Sequence, residues 1–119
     1  MILEDISEKL KTIDPNTFYG MVDSTQVTGE WNYIVFMRKR LTVGANKQEL
    51  SDRFTVAIVR ENYIPEGLEK QVIEKMCEIP GMRIGSADCE YNYTQKPNTN
   101  TVVELLTMEF VRARKRAGE

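Results

Sequence analysis

The chain contains no histidine. That removes the side chain most often used for proton transfer near neutral pH and most often bound to metal. A Ser-His-Asp triad therefore cannot be built, and Ser7, Ser24, Ser51 and Ser86 stand in no nucleophile-elbow context. Only two cysteines occur, Cys77 and Cys89, outside any C-x-x-C pair and without the neighbours a zinc site needs. They read as small buried apolar residues in a reducing compartment. Glycine spacing fits neither a Walker loop nor a dinucleotide fingerprint. No apolar run approaches a membrane span, and Met1-Ile2-Leu3-Glu4-Asp5 lacks the features of a signal peptide. These absences predict a soluble cytoplasmic protein that is not an enzyme and has no cofactor, no metal and no membrane partner.

What is present suits one α+β domain spanning residues 1–119. The content is 41% hydrophobic and 29% charged, enough apolar surface for a real core. A net charge of −2 and a pI near 5.3 argue against a dedicated nucleic-acid binder.

Apolar periodicity changes along the chain. Ile2, Leu3, Ile6, Leu10 and Ile13 recur at helical spacing and predict an amphipathic helix, which Asp14-Pro15-Asn16 stops. Thr17 to Val22 reads as a short strand, and Asp23 to Glu30 as a polar loop or irregular hairpin. Trp31 to Arg38 is a strand apolar on both faces, hence central, or buried on one face and set against a partner on the other. Leu41 to Ser51 is turn-prone and reads as a long mobile loop. Arg53 to Arg60 is the next strand. A second helix starts at Pro65-Glu66-Gly67, lines one face with Leu68, Val72, Ile73, Met76 and Ile79, and stops at Pro80-Gly81. Met82-Arg83-Ile84 leads into a strand pair, Asp88 to Thr94 and Thr101 to Val111, around the loop Gln95 to Asn100. The expected order is α-β-β-β-α-β-β: a small antiparallel or mixed sheet with two helices on one face.

Three kinds of side chain carry possible chemistry. Asp88 and Glu90 share a strand face and could hold a cation, but no oxygen-rich loop follows, so a solvated face is the simpler reading. Glu104 and Glu109 fall on opposite faces and cannot act together. Two basic clusters stand out: Arg38-Lys39-Arg40 at the end of the aromatic strand, and Arg112, Arg114, Lys115 and Arg116 at the end of the last one. They fit a phosphate backbone, a solvated strand end, or a charged surface that registers subunits against one another, and the third fits the acidic total best. Most of Trp31, Tyr33, Tyr63, Tyr91 and Tyr93 are expected in the core or at its edge. Tyr and Trp also anchor interfaces, and the sequence does not separate the two at any one position.

Several stretches carry a resemblance. Phe54 to Gly67, the turn Ile79-Pro80-Gly81-Met82-Arg83, and Glu90 to Thr99 with the closing basic strand resemble small structural proteins from the head–tail and tail modules of siphophages and prophages of Gram-positive bacteria. The element order is similar to that of the tail-terminator and tail-completion proteins of long-tailed phages, and over the first half the likeness rests on order alone. The resemblance implies a subunit of a hexameric ring, monomeric in isolation, that caps the tail tube and meets the head connector. Its partners would be further copies of itself, the tail-tube protein and the head-completion or connector protein. Its location would be the host cytoplasm during assembly and the virion neck or tail afterwards. Other neck and minor capsid proteins of similar size are the alternative, and a nucleic-acid module using the basic ends is a more distant one. The expected contacts lie in the Leu41–Ser51 loop, the Lys96–Asn100 loop and the basic strand ends, with Arg38, Arg40, Lys47, Lys96, Asn98, Arg112, Arg114 and Arg116 as candidate interface residues.

Overall fold

The computed structural model describes residues 1–22, 29–45, 49–86 and 88–114. In chain order its elements are α1 (Ile2–Lys11), β1 (Thr17–Tyr19), β2 (Tyr33–Val43), β3 (Leu50–Glu61), α2 (Leu68–Cys77), β4 (Met82–Ile84), β5 (Glu90–Gln95) and β6 (Val102–Ala113). The six strands form one mixed sheet in the order β1-β2-β3-β6-β4, with β5 also on β6. Only the β1–β2 pairing is parallel; the rest are antiparallel.

Helix α1 carries Glu4 and Asp5 in its first turn and Lys9 and Lys11 in its last, matching the helix dipole. Its buried stripe is Ile6 and Leu10, and that of α2 is Val72 and Met76. Both stripes press on one face of the sheet. The register sets Ile34 opposite Ile58, Phe36 opposite Val56 and Phe54 opposite Phe110, all in the same core. Each such side chain contributes about 1.5–3 kcal/mol on leaving water, so this face holds the domain together. The helices are also linked at their ends, where Lys9 Nζ donates to Glu78 Oε1 at 2.8 Å.

Asp14 shows why the chain turns after α1. Its Oδ1 accepts the Asn16 backbone N–H at 2.9 Å, its Oδ2 accepts Arg60 Nη2 at 2.7 Å, and its carbonyl accepts the Thr17 hydroxyl at 2.7 Å. A helix end, a strand start and the middle of the sheet thus meet at one buried carboxylate.

Four expectations need correction. Leu41–Ser51 is not one long loop: Leu41 to Val43 belong to β2, and Leu50 and Ser51 to β3. The pair forms a hairpin arm stitched by Thr42↔Ser51 and Val43↔Leu50, and β6 extends the ladder through Ser51↔Ala113. Arg38-Lys39-Arg40 therefore lies within β2, at a bulge where the register steps past Lys39, rather than closing it. Met82–Ile84 is a strand in its own right on the edge of β6. Cys77 is exposed, because it sits one residue, about 100° of helix rotation, past the buried Met76. Asp23 to Thr28, Lys47, Lys115 and Arg116 lie outside the described residues.

Candidate functional site

The expected interface residues fall at two ends of the sheet. Arg38 sits opposite Phe54 and Arg40 opposite Arg53. Both are exposed, and neither makes an ion pair among the described residues. Lys39 between them pairs with Glu109, whose second oxygen accepts Arg53 Nη1 at 3.1 Å. Arg112 lies within β6, opposite Asp52 and Met82. Arg114 donates from Nε and Nη2 to the two oxygens of Asp52, which raises its pKa above the usual guanidinium value. The arm thus presents Arg38 and Arg40 outward and commits Arg114 within the subunit.

Lys96 and Asn98 lie at the opposite end, in the β5–β6 loop. Lys96 Nζ donates to the Gly29 carbonyl at 2.7 Å and to Glu61 Oε1 at 3.0 Å, while Glu61 Oε2 accepts the Trp31 N–H. This cation closes the loop onto the entry to β2 and is largely enclosed. Asn98 is exposed and holds a left-handed backbone at φ 63°, a conformation to which asparagine is better suited than most residues. Asn98 therefore shapes the turn, and Lys96 anchors it.

The sheet face away from the helices is apolar as well. Val35, Val59, Val103 and Val111 are buried there, while Tyr33, Met37, Ala57 and Leu105 are only partly covered. Phe18 meets Tyr33 edge-on, with ring centroids 6.1 Å apart. Burial raises the Tyr33 phenol above its ordinary pKa. Among the described residues this face of the sheet is thus only half-covered.

Sequence reading missed a groove beside α2. It is lined by Ile64, Glu66, Glu69, Tyr91, Tyr93 and Glu104. Glu104 Oε1 accepts the Ile64 N–H at 2.7 Å, and its Oε2 accepts the Tyr93 hydroxyl at 2.8 Å. That hydrogen bond raises the Tyr93 pKa. The Tyr91 phenol is raised by burial, then by the Glu69 and Glu104 carboxylates. Tyr63, Tyr91 and Tyr93 are exposed, at 70%, 48% and 63%, so these rings lie outside the core in which most were expected. The groove is aromatic and anionic, a surface suited to a cation. The available signal was the Tyr-x-Tyr alternation with Glu104 across the hairpin, but only register brings Tyr93 and Glu104 together.

Asp88 and Glu90 line a shallow polar pocket with Ser86, Asn92, Thr107 and Glu109. Among the described residues no three Cys, Asp or Glu side chains converge as metal donors. No described helix is long and apolar enough to cross a membrane. Comparison of the chain with protein-family models and with curated proteins finds no match.

Proposed function

We propose that the chain is a non-enzymatic assembly subunit of a long-tailed phage, of the tail-terminator or tail-completion kind. Copies join into a ring that caps the tail tube and offers its outer side to the head connector. The observation that carries this reading is the two-sided sheet: helices cover one face, and the other leaves Tyr33, Met37, Ala57 and Leu105 partly open. An arm with outward cations and an anionic groove at the other end of the sheet supply complementary charge for registering neighbours. The element order and the segments Phe54 to Gly67 and Glu90 to Thr99 support the tail-terminator assignment by resemblance.

The test is negative-stain microscopy of the purified protein with and without tail tubes. Rings at tube ends, and uncapped or overlong tubes when the gene is removed, are expected. Tubes that never acquire a cap would overturn the assignment. Flanking genes for head, connector and tail-tube proteins are the expected genomic setting. Loss of DNA or RNA retention, with normal tails, on reversing the charge of Arg38 and Arg40 would favour a nucleic-acid module instead.

A further inference from the structure

Apart from the three-residue edge strands β1 and β4, two longer strand edges lack a neighbour among the described residues. β1 covers β2 only along Ile34–Phe36, so the outer half of β2, Arg38–Val43, has strand pairing on the β3 side alone. β5 pairs with β6 and with nothing on its other side. These edges lie at opposite borders of the sheet. Unpaired edges are templates for adding another strand.

Strand direction decides how they would meet. β2, β3, β6 and β5 alternate in direction along the sheet, so β2 and β5 run oppositely. A second copy set beside the first in the same orientation brings its β2 antiparallel to the first copy's β5. That is the more favourable pairing for short strands.

The side chains choose the register. Leu41 lies opposite Asp52, on the face of Phe54, and Val43 follows two residues on. Tyr91 lies opposite Leu106 on that same face, with Tyr93 two residues on. All four are exposed: Leu41 by 51%, Val43 by 55%, and the two tyrosines by about half or more. Aligning Leu41 with Tyr93 and Val43 with Tyr91 makes two cross-strand apolar pairs and keeps the helix-covered faces continuous. In that alignment Arg38, three residues before Leu41, falls past Tyr93 at the Gln95–Lys96 end of β5, so the apolar pairs and not charge set the register. Like edges do not match so well, since β5 against β5 gathers two sets of carboxylates and β2 against β2 gathers two Arg38–Arg40 clusters.

We propose that copies of this chain join edge to edge, Arg38–Val43 of one subunit adding antiparallel to Glu90–Gln95 of the next. Leu41 then sits beside Tyr93, and Val43 sits beside Tyr91. The contact is heterologous, so it propagates until rotation closes it into a ring. It deepens, and rests on, the reading of the chain as a self-assembling subunit.

Disulfide trapping tests the register. In a background carrying Cys77→Ser and Cys89→Ala, Leu41→Cys protein is mixed with Tyr93→Cys protein under mild oxidation, in solution and on tail tubes. A cross-linked dimer is expected, absent when Leu41→Cys is mixed with Glu8→Cys, whose site lies on α1. Both substitutions are at exposed positions, and circular dichroism checks that the fold is retained. An arm without cysteines uses Leu41→Lys and Tyr93→Lys: each alone should sediment as a monomer, while their mixture should form a dimer through the one intact contact. Absence of the 41–93 cross-link above control, together with no dimer in the lysine mixture, overturns the proposal. Capped tubes without the cross-link would reject this contact and leave the tail-terminator reading standing. The cross-link without capped tubes would support the contact and count against that reading.

Discussion

Arg114 grips both carboxylate oxygens of Asp52, Nε to Oδ2 at 2.7 Å and Nη2 to Oδ1 at 2.8 Å. The bond ties the residue just after β6 to the base of the β2–β3 arm, and Asp52 is only 7% exposed. A two-pronged, charge-assisted pair with a buried acceptor outlasts an ordinary surface pair. Arg114→Ala should therefore lower stability by about 1–2 kcal/mol, since it strands a buried carboxylate. Arg38→Ala and Arg40→Ala should each stay within about 0.5 kcal/mol. Urea denaturation of the three variants checks this contrast, and equal losses would remove it.

Asp14 is the more costly position. Its side chain serves Asn16 and Arg60 together, and the pair with Arg60 is nearly enclosed, at 13% and 11% side-chain exposure. Removing one partner leaves the other charge with less than its full set of bonds, although Arg60 keeps the Tyr33 and Val59 carbonyls. Asp14→Ala should cost about 2–4 kcal/mol, and Asp14→Asn, which keeps an acceptor for Asn16, should cost less. The midpoint of chemical unfolding should move in that order with an unchanged slope.

Gly85 is held by close approach. A methyl group added there would lie 2.4 Å from Val111 Cγ2 and 2.7 Å from Arg53 Nη1. The residue also donates its N–H to Glu109 at 2.8 Å and accepts from Arg53 at 3.1 Å. Gly85→Ala must push the end of β4 off β6 or displace Arg53, at about 1–3 kcal/mol. Thermal unfolding should reveal the loss. Gly20→Ala, by contrast, meets no atom within 4 Å and acts only through its φ of +81°.

The groove tyrosines should report in alkali. Tyr93 donates to Glu104, so folding favours its protonated form and raises its pKa above 10.0. Stability from this bond is whole below the unfolded value near 10 and is lost as pH rises through the folded value. Ultraviolet titration near 295 nm should show late ionisation for Tyr93, moving back toward 10 in Glu104→Gln. If Glu104→Gln leaves the titration unchanged, the assigned hydrogen bond is wrong.

Much of this architecture is legible in the residues. The helical spacing of Ile2 to Leu10 and Leu68 to Met76 fixes two amphipathic helices, because period alone decides which side chains share a stripe. The alternation through Arg53 to Arg60 and through Val102 to Val111 likewise fixes two-faced strands. The arm was hidden because the turn-prone Gly44-Ala45-Asn46-Lys47 dominates the reading of the short segments Leu41 to Val43 and Leu50 to Ser51 that flank it. Their backbone bonds come from each other and, for Ser51, from Ala113, far off in sequence. β4 is three residues long and exists only because β6 offers it an edge.

By itself the sequence determined an α+β domain of two helices and a sheet, since periodicity is a local property of the chain. Charge was different. Arg38, Lys39, Lys96 and Arg114 look alike in sequence, yet Lys39 is paired with Glu109, Lys96 with Glu61, Arg114 with Asp52, and Arg38 with no carboxylate among the described residues. Only the tertiary structure decided which cations are spent inside the subunit and which face outward. An ion pair depends on distance between side chains, and strand register brings residues dozens of positions apart to within a hydrogen bond.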